Sequence, residues 1–180
     1  MPSRHLFTAD PHFGHPGILK TCARPFASVE EMDAALIASY QAHVTAQDDL
    51  WIVGDFALDP DVAVRAFAAI PGRKHLVVGN HDLKPWTQRL GWASVHDIKE
   101  VKEHHQTFVL CHYPMLTWRG IRRGAVHLFG HIHTHCPGWL NAVNVGVDGC
   151  GFRPIDRVEA LERAAVLPKN PLWDLIEPGL

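Results

Sequence analysis

Short apolar runs recur along this chain, and each one stops at a glycine or a polar side chain. The runs read "LFTADPH", "LWIVGD", "HLVVGNHD", "FVLCHYP" and "HLFGHIH". Apolar runs this short, bounded by turn signals, predict buried strands. Between the first three lie segments with the helical period. In "SVEEMDAALIASYQAHV", Met32, Leu36 and Tyr40 share a face, and Ser28 with Glu31 fits a capping box. "DPDVAVRAFAAI" predicts a second helix, with Asp59 or Asp61 as its N-cap and Pro71-Gly72 as its stop. Residues 94–111 read as two strands joined by a polar turn near Glu103-His104-His105, and "AVHLFG" and "NAVNVGVD" as two more. A short helix begins at Arg157, and the Pro-rich tail beyond it carries no pattern that places it. Helix and strand alternate early and strands dominate late, which predicts an α/β domain with helices packed on a mixed sheet and two sheets stacked.

Composition narrows the class. The 180 residues suit one domain, taken here as 1–180, and 47 % of them are apolar, enough for a core. A formal charge of −2 argues against a constitutive nucleic-acid coat, though not against a local basic patch. The four cysteines form no C-x-x-C pair, as in a reduced protein. No apolar run has the length of a signal peptide or a membrane span. The expected location is the cytoplasm, with no membrane and no obligate protein partner.

Histidine is the anomaly, with 14 copies spread along the chain. The terminal residues of the apolar runs collect them. Asp10 and His12 follow the first run, Asp55 the second, Asn80 the third, His112 the fourth, and His131 and His133 the fifth. In α/β sheets ligands bind beyond the carboxyl ends of the strands. Extended i, i+2 pairs would send Asp10 with His12, and His131 with His133, to one side. Glycines before Asp55, Asn80 and His131 would permit sharp exits. A lone Asp after a strand is ordinarily a cap, and a lone His an ordinary surface or core residue. We therefore read His5, His43, His75, His96, His127 and the His104-His105 turn as structural. Repetition at five strand ends separates the rest from that background.

The donors are all oxygen or nitrogen. That favours a catalytic metal site over a cysteine-rich structural one. Seven ligands exceed what one catalytic ion takes and suit two ions sharing a carboxylate, about 3.5–4 Å apart. Two divalent ions offset by two aspartates and one hydroxide leave about one positive charge, suited to a phosphate ester. The set fits manganese foremost, and also iron, zinc, cobalt or nickel. His81, beside a ligand, could act as general acid on the leaving group, with Asp82 orienting its ring.

Together, Asp10-Pro11-His12, Gly54-Asp55, Gly79-Asn80-His81-Asp82, Cys111-His112 and Gly130-His131-Ile132-His133 resemble the calcineurin-like metallophosphoesterases. "DPHFGHPGIL" and "RPF" resemble a small bacterial and phage branch. The resemblance implies a four-layer αββα sandwich of two mixed sheets flanked by helices. It implies one metal on Asp10, His12, Asp55 and His133, and a second on Asp55, Asn80, His112 and His131. It also implies a bridging hydroxide as nucleophile and His81 as acid, supported by Asp82. The chain departs from the protein-phosphatase branch, since "GDFALDP" and "GNHD" replace G-D-x-x-D-R-G and G-N-H-E and lack its phosphate-gripping arginine. A phosphodiesterase on nucleic acid or nucleotides is therefore expected, against a phosphomonoesterase or a non-catalytic scaffold. Further substrate contacts are sought at His15 (phosphate or helix cap), Arg24 (phosphate or salt bridge), Trp118 (base stacking) and Arg119 (basic flank or solvated loop). Asn144, at another strand end, would support the ligands.

Overall fold

Strands buried on both faces need no alternation, and this explains the unbroken apolar runs. In a computed structural model that describes residues 4–179, β1 (His5–Thr8), β2 (Asp49–Val53), β3 (Arg73–Val77) and β4 (Ser94–His96) run parallel in one sheet. The outermost residues of the predicted 1–180 domain, 1–3 and 180, lie outside the described range. β2, at the centre, is buried at every position. β10 (Ile155–Asp156) closes the far edge antiparallel to β1. The register pairs Leu6 with Leu50 and Ile52 with Leu76.

On the outer face of this sheet lie α1 (Pro16–Thr21), α2 (Val29–His43), α3 (Pro60–Ala69) and α4 (Pro85–Gln88). Met32, Leu36 and Tyr40 of α2, with Ala63 and Ala66 of α3, pack on Leu6, Leu50, Ile52 and Leu76. Ser28 caps α2 by accepting from the Glu31 amide at 3.2 Å. Of the two candidate caps of α3 it is Asp59 that serves, accepting from the amides of Asp61 and Val62 at 2.9 Å each.

The second sheet has the order β5 (Ile98–Glu103), β6 (Gln106–Cys111), β7 (Val126–Phe129), β9 (Ala142–Asn144), β8 (Gly138–Trp139). Its inner face presents Phe108, Leu110, Leu128 and Val143 to Phe7, Trp51, Val53 and Val77 of the first. Residues 94–111 form three strands rather than two. Asp97 separates β4, the edge of the first sheet, from β5, the edge of the second, so the chain crosses between sheets at one residue.

The sandwich has its fourth layer, and that layer is thin. A 3₁₀ turn at Ile121–Arg123 and α6 (Trp173–Ile176), which follows α5 (Arg157–Val166), cover the outer face of the second sheet. The unplaced tail thus has a structural role. Trp173 is fully buried against Val109, Trp118 and Phe129, and its indole donates to the Leu116 carbonyl at 2.7 Å. Among the described residues no helix is long and apolar enough to cross a membrane.

Candidate metal centre

β1, β2 and β3 of one sheet and β6 and β7 of the other end at a common place, and the residues after them converge there. Asp55 stands at the middle. Its Oδ2 lies 3.6 Å from His12 Nε2, 3.5 Å from His112 Nε2 and 4.0 Å from His81 Nε2. On one side Asp10, His12 and His133 bring ligand atoms within 4.8 Å of one another. On the other, Asp55, His112 and His131 do the same. Asn80 joins the second group, its Oδ1 3.2 Å from His112 Nε2. The carboxylates also tie the loops together. Asp10 accepts from the His131 amide at 2.9 Å, and Asp55 Oδ1 from the His81 amide at 2.9 Å.

Backbone strain concentrates here. Asp10 (φ 56), His12 (φ 54), Asp55 (φ 57), His131 (φ 71) and His133 (φ 47) all occupy the left-handed region. Such conformations in residues with a Cβ cost roughly 1–3 kcal/mol each and persist where surrounding contacts enforce them. The i, i+2 pairs are therefore not extended, as the sequence reading takes them to be. They meet on one side through left-handed turns instead. Of the glycines before Asp55, Asn80 and His131, only Gly54 has a positive φ, 90°. Gly79 and Gly130 are required for space, because a Cβ would overlap the carboxylates of Asp55 and Asp10 respectively, and one at Gly54 would overlap the His112 ring.

The donor set fits a cation. His12 is 2 % exposed, and among the described residues neither of its ring nitrogens finds a hydrogen-bond partner. Two orphaned nitrogens on one buried ring are costly unless something else satisfies them. Burial pushes the His12 pKa far down, which keeps the imidazole neutral and able to ligate. Burial, with a smaller push from Asp55, raises Asp10 to about 7 against the opposing pull of His112 and His133. At Asp55 burial works upward too, but the hydrogen bond and charge of His112 outweigh it and hold the carboxyl at about 2. Burial opposes the His112 imidazolium, yet Asp55 and Asp10 raise its pKa.

A proton is thus held where a cation would sit, and the two compete. Between the ordinary 3.8 and about 7, the fold binds a proton at Asp10 that the unfolded chain has released. Metal-free stability from this group therefore falls as pH rises through that window. Cation affinity should rise over the same window and level off above it. The rise in Tm produced by saturating manganese is expected to be larger at pH 8 than at pH 6, and an equal rise would contradict this electrostatic picture.

Outer contacts fix the ring orientations. His112 Nδ1 donates to the Val53 carbonyl at 2.9 Å, leaving Nε2 to face Asp55 and Asn80. His133 Nδ1 bonds Asp148 Oδ2 at 2.8 Å. Asp148 in turn receives Arg24 Nε at 2.7 Å and Nη2 at 2.9 Å, while the same guanidinium donates to the carbonyls of Asp10 and Pro11. Asn144 donates to the His133 carbonyl at 2.7 Å, the supporting position expected for it. Asp148 escapes the sequence reading. Its only signal is an acid four residues beyond Asn144, and Arg24 is remote from it along the chain. Asp148→Asn should weaken metal affinity by about 10–100-fold, measured by calorimetry, because such orienting partners typically carry that much.

Several expected contacts lie elsewhere. Arg24 is buried beneath the site and spent on Asp148 and backbone carbonyls, so the salt-bridge alternative holds. Trp118 is 7 % exposed, donates to the Ala125 carbonyl at 2.8 Å and packs on Trp173, so it presents no face to a base. Arg119 pairs with Glu100 at 3.2 Å beside the amino end of β7, the end away from His131. Asp82 does not orient His81. It is fully buried and accepts from the amides of Asp55 (2.7 Å), Phe56 (3.0 Å) and Gly79 (2.9 Å), which locks the loops after β2 and β3. His15 makes no side-chain cap to α1, and its ring lies 5.5 Å from His12 and 5.9 Å from His81, at the rim. The His81 ring lies 5.0 Å from that of His12 and its side chain is 34 % exposed.

No family model matches the chain. It is 26 % identical over 172 residues to the uncharacterized protein MJ1445 of Methanocaldococcus jannaschii, an alignment covering 88 % of this chain and 92 % of that protein. It is 29 % identical over 187 residues to the Gene 66 protein of Mycobacterium phage L5, covering 83 % and 88 %. Among solved structures, the protein of unknown function AQ665 from Aquifex aeolicus superposes with a TM-score of 0.73 at 22 % identity, over 87 % of this chain and 97 % of that one. The two share a fold. The architecture is the two-sheet sandwich that the metallophosphoesterase resemblance implies.

Proposed function

We propose that this chain is a metal-dependent phosphoesterase, specifically a phosphodiesterase acting on nucleic-acid or nucleotide phosphodiesters. One observation carries the reading: a single carboxylate, Asp55, gathers donors on two sides at the joined ends of both sheets, His12 and His81 on one and His112 and His131 on the other. Asp10, His12, Asp55 and His133 would hold one divalent cation, and Asp55, Asn80, His112 and His131 a second. When bound, such cations act as Lewis acids toward a phosphoryl group and make water nucleophilic at neutral pH.

The chain's own residues supply the rest. His81 stands beside the cluster with its ring partly in solvent, placed to give a proton to a departing oxygen. His15 at the rim offers a second imidazole to a phosphate oxygen. The left-handed turns and buried carboxylates hold the donors before substrate arrives, the preorganisation that electrostatic catalysis requires.

The diester preference rests on charge. A monoester brings a second negative charge, and Arg24, which lies beneath the site, is already neutralised by Asp148. A panel with manganese tests this, comparing bis-p-nitrophenyl phosphate, p-nitrophenyl phosphate, single-stranded DNA, RNA and cyclic nucleotides. Metal-dependent diester hydrolysis is expected to exceed monoester hydrolysis. Faster monoester turnover would remove the diester assignment, and no metal-dependent turnover at all would remove the whole reading.

A further inference from the structure

We infer that Tyr113 is a stacking platform for a planar ring of the substrate, which assigns the site to phosphoesters carrying a nucleobase or a similar aromatic group beside the phosphorus. The inference rests on the phosphoesterase reading and narrows it.

Tyr113 is the residue after His112. Its ring centroid lies 5.1 Å from His112 and 4.8 Å from His131, tilted 74° and 66° to them. It therefore forms a wall on the side of the site that would hold the second cation. Among the described residues it is the one exposed Phe, Tyr or Trp, at 46 %. Its hydroxyl has no hydrogen-bond partner among them. The chain buries or half-buries every other described large aromatic and leaves this one open beside the candidate metal ligands.

The segment carrying Tyr113 is braced. Pro114 restricts Tyr113 to extended backbone. The Met115 amide donates to His127 Nε2 at 3.1 Å, and His127 Nδ1 donates to the Val109 carbonyl at 2.9 Å. Trp173 holds the Leu116 carbonyl, and Trp118 holds that of Ala125. A tyrosine with two side-chain torsions on a braced segment loses little freedom when a ring lies against it. Trp118, the aromatic that the sequence points to, thus anchors the segment that presents the working ring.

The bond that breaks is the ester P–O, with water adding to phosphorus. Tyr113 takes no part in that step and acts only on the group attached. Calorimetry on the manganese-loaded protein compares adenosine monophosphate with glycerol phosphate, for wild type, Tyr113→Phe and Tyr113→Ala. Tyr113→Ala should weaken the nucleotide about tenfold, within the range for losing one base–aromatic stack. Glycerol phosphate binding and manganese affinity should stay unchanged, and Tyr113→Phe should bind both ligands as wild type does. Nucleotide binding unaffected by Tyr113→Ala, or both ligands weakened alike, would overturn the inference. So would a loss of manganese affinity, since the ring would then merely brace His131. If the wild type binds neither phosphate, the parent reading fails first and the inference with it.

Discussion

Asp55→Asn should abolish metal-dependent phosphoester turnover, lowering kcat/KM by on the order of a thousandfold or more. Removal of one charge-stabilising donor from an active site already costs roughly 10²–10³, and Asp55 serves both clusters. Its Oδ2 is within 3.6 Å of His12 and 3.5 Å of His112. Asparagine keeps the shape and an oxygen to accept the His81 amide, now 2.9 Å from Oδ1, so the loop after β3 stays anchored. What disappears is the negative charge between the two imidazole groups. Metal stoichiometry measured by calorimetry should fall from two to one or none, and Tm of the metal-free protein should fall as well, because the charge that pairs with His112 and holds Asp55 at about 2 is gone. A variant that still takes up two ions and turns over at the wild-type rate would show that Asp55 is not the shared ligand. His12→Ala makes the complementary case: it removes a donor from one cluster and should spare the other.

The convergence was legible in the sequence because an apolar strand that stops at an abrupt polar residue leaves a local trace, and five such traces repeat. The caps of α2 and α3 were legible for the same reason, since a cap is decided within four residues. What escaped is decided by distant partners. Nothing local tells that Asp97 is the crossing point between sheets, or that the two-residue strands β8 and β10 find pairing partners. Asp82 sits next to His81 in sequence, which suggested a pair. Its oxygens instead accept amides from residues near Asp55, and burial raises it to about 6. Trp118 was misread similarly, and at Arg24 only the salt-bridge alternative survives: adjacency to a motif says that a residue is near, not which way its side chain goes. The left-handed turns at Asp10, His12, Asp55, His131 and His133 were also invisible, because Asp and His tolerate that region without requiring it.

His81 decides between two roles that the geometry brings close together. His12, Asp55 and His81 form a group whose ligand atoms lie within 4.8 Å of one another, so His81 could itself hold a cation. Its partial exposure and its position 4.0 Å from the Asp55 carboxylate suit a proton donor to the leaving group better. The two roles predict different kinetics. As a general acid, His81→Ala should slow substrates with alkoxide leaving groups by about 10²–10⁴, yet slow p-nitrophenyl esters much less, because nitrophenolate departs without a proton. Metal stoichiometry should be unchanged. As a ligand, the variant would lose metal and slow every substrate alike. Asp82→Asn supplies the control that the sequence alone would have mispredicted. Because Asp82 holds backbone amides and not the His81 ring, its loss should lower Tm and leave the dependence on leaving group intact. An Asp82→Asn variant with the same leaving-group dependence as His81→Ala would mean that the carboxylate reaches the imidazole during turnover after all.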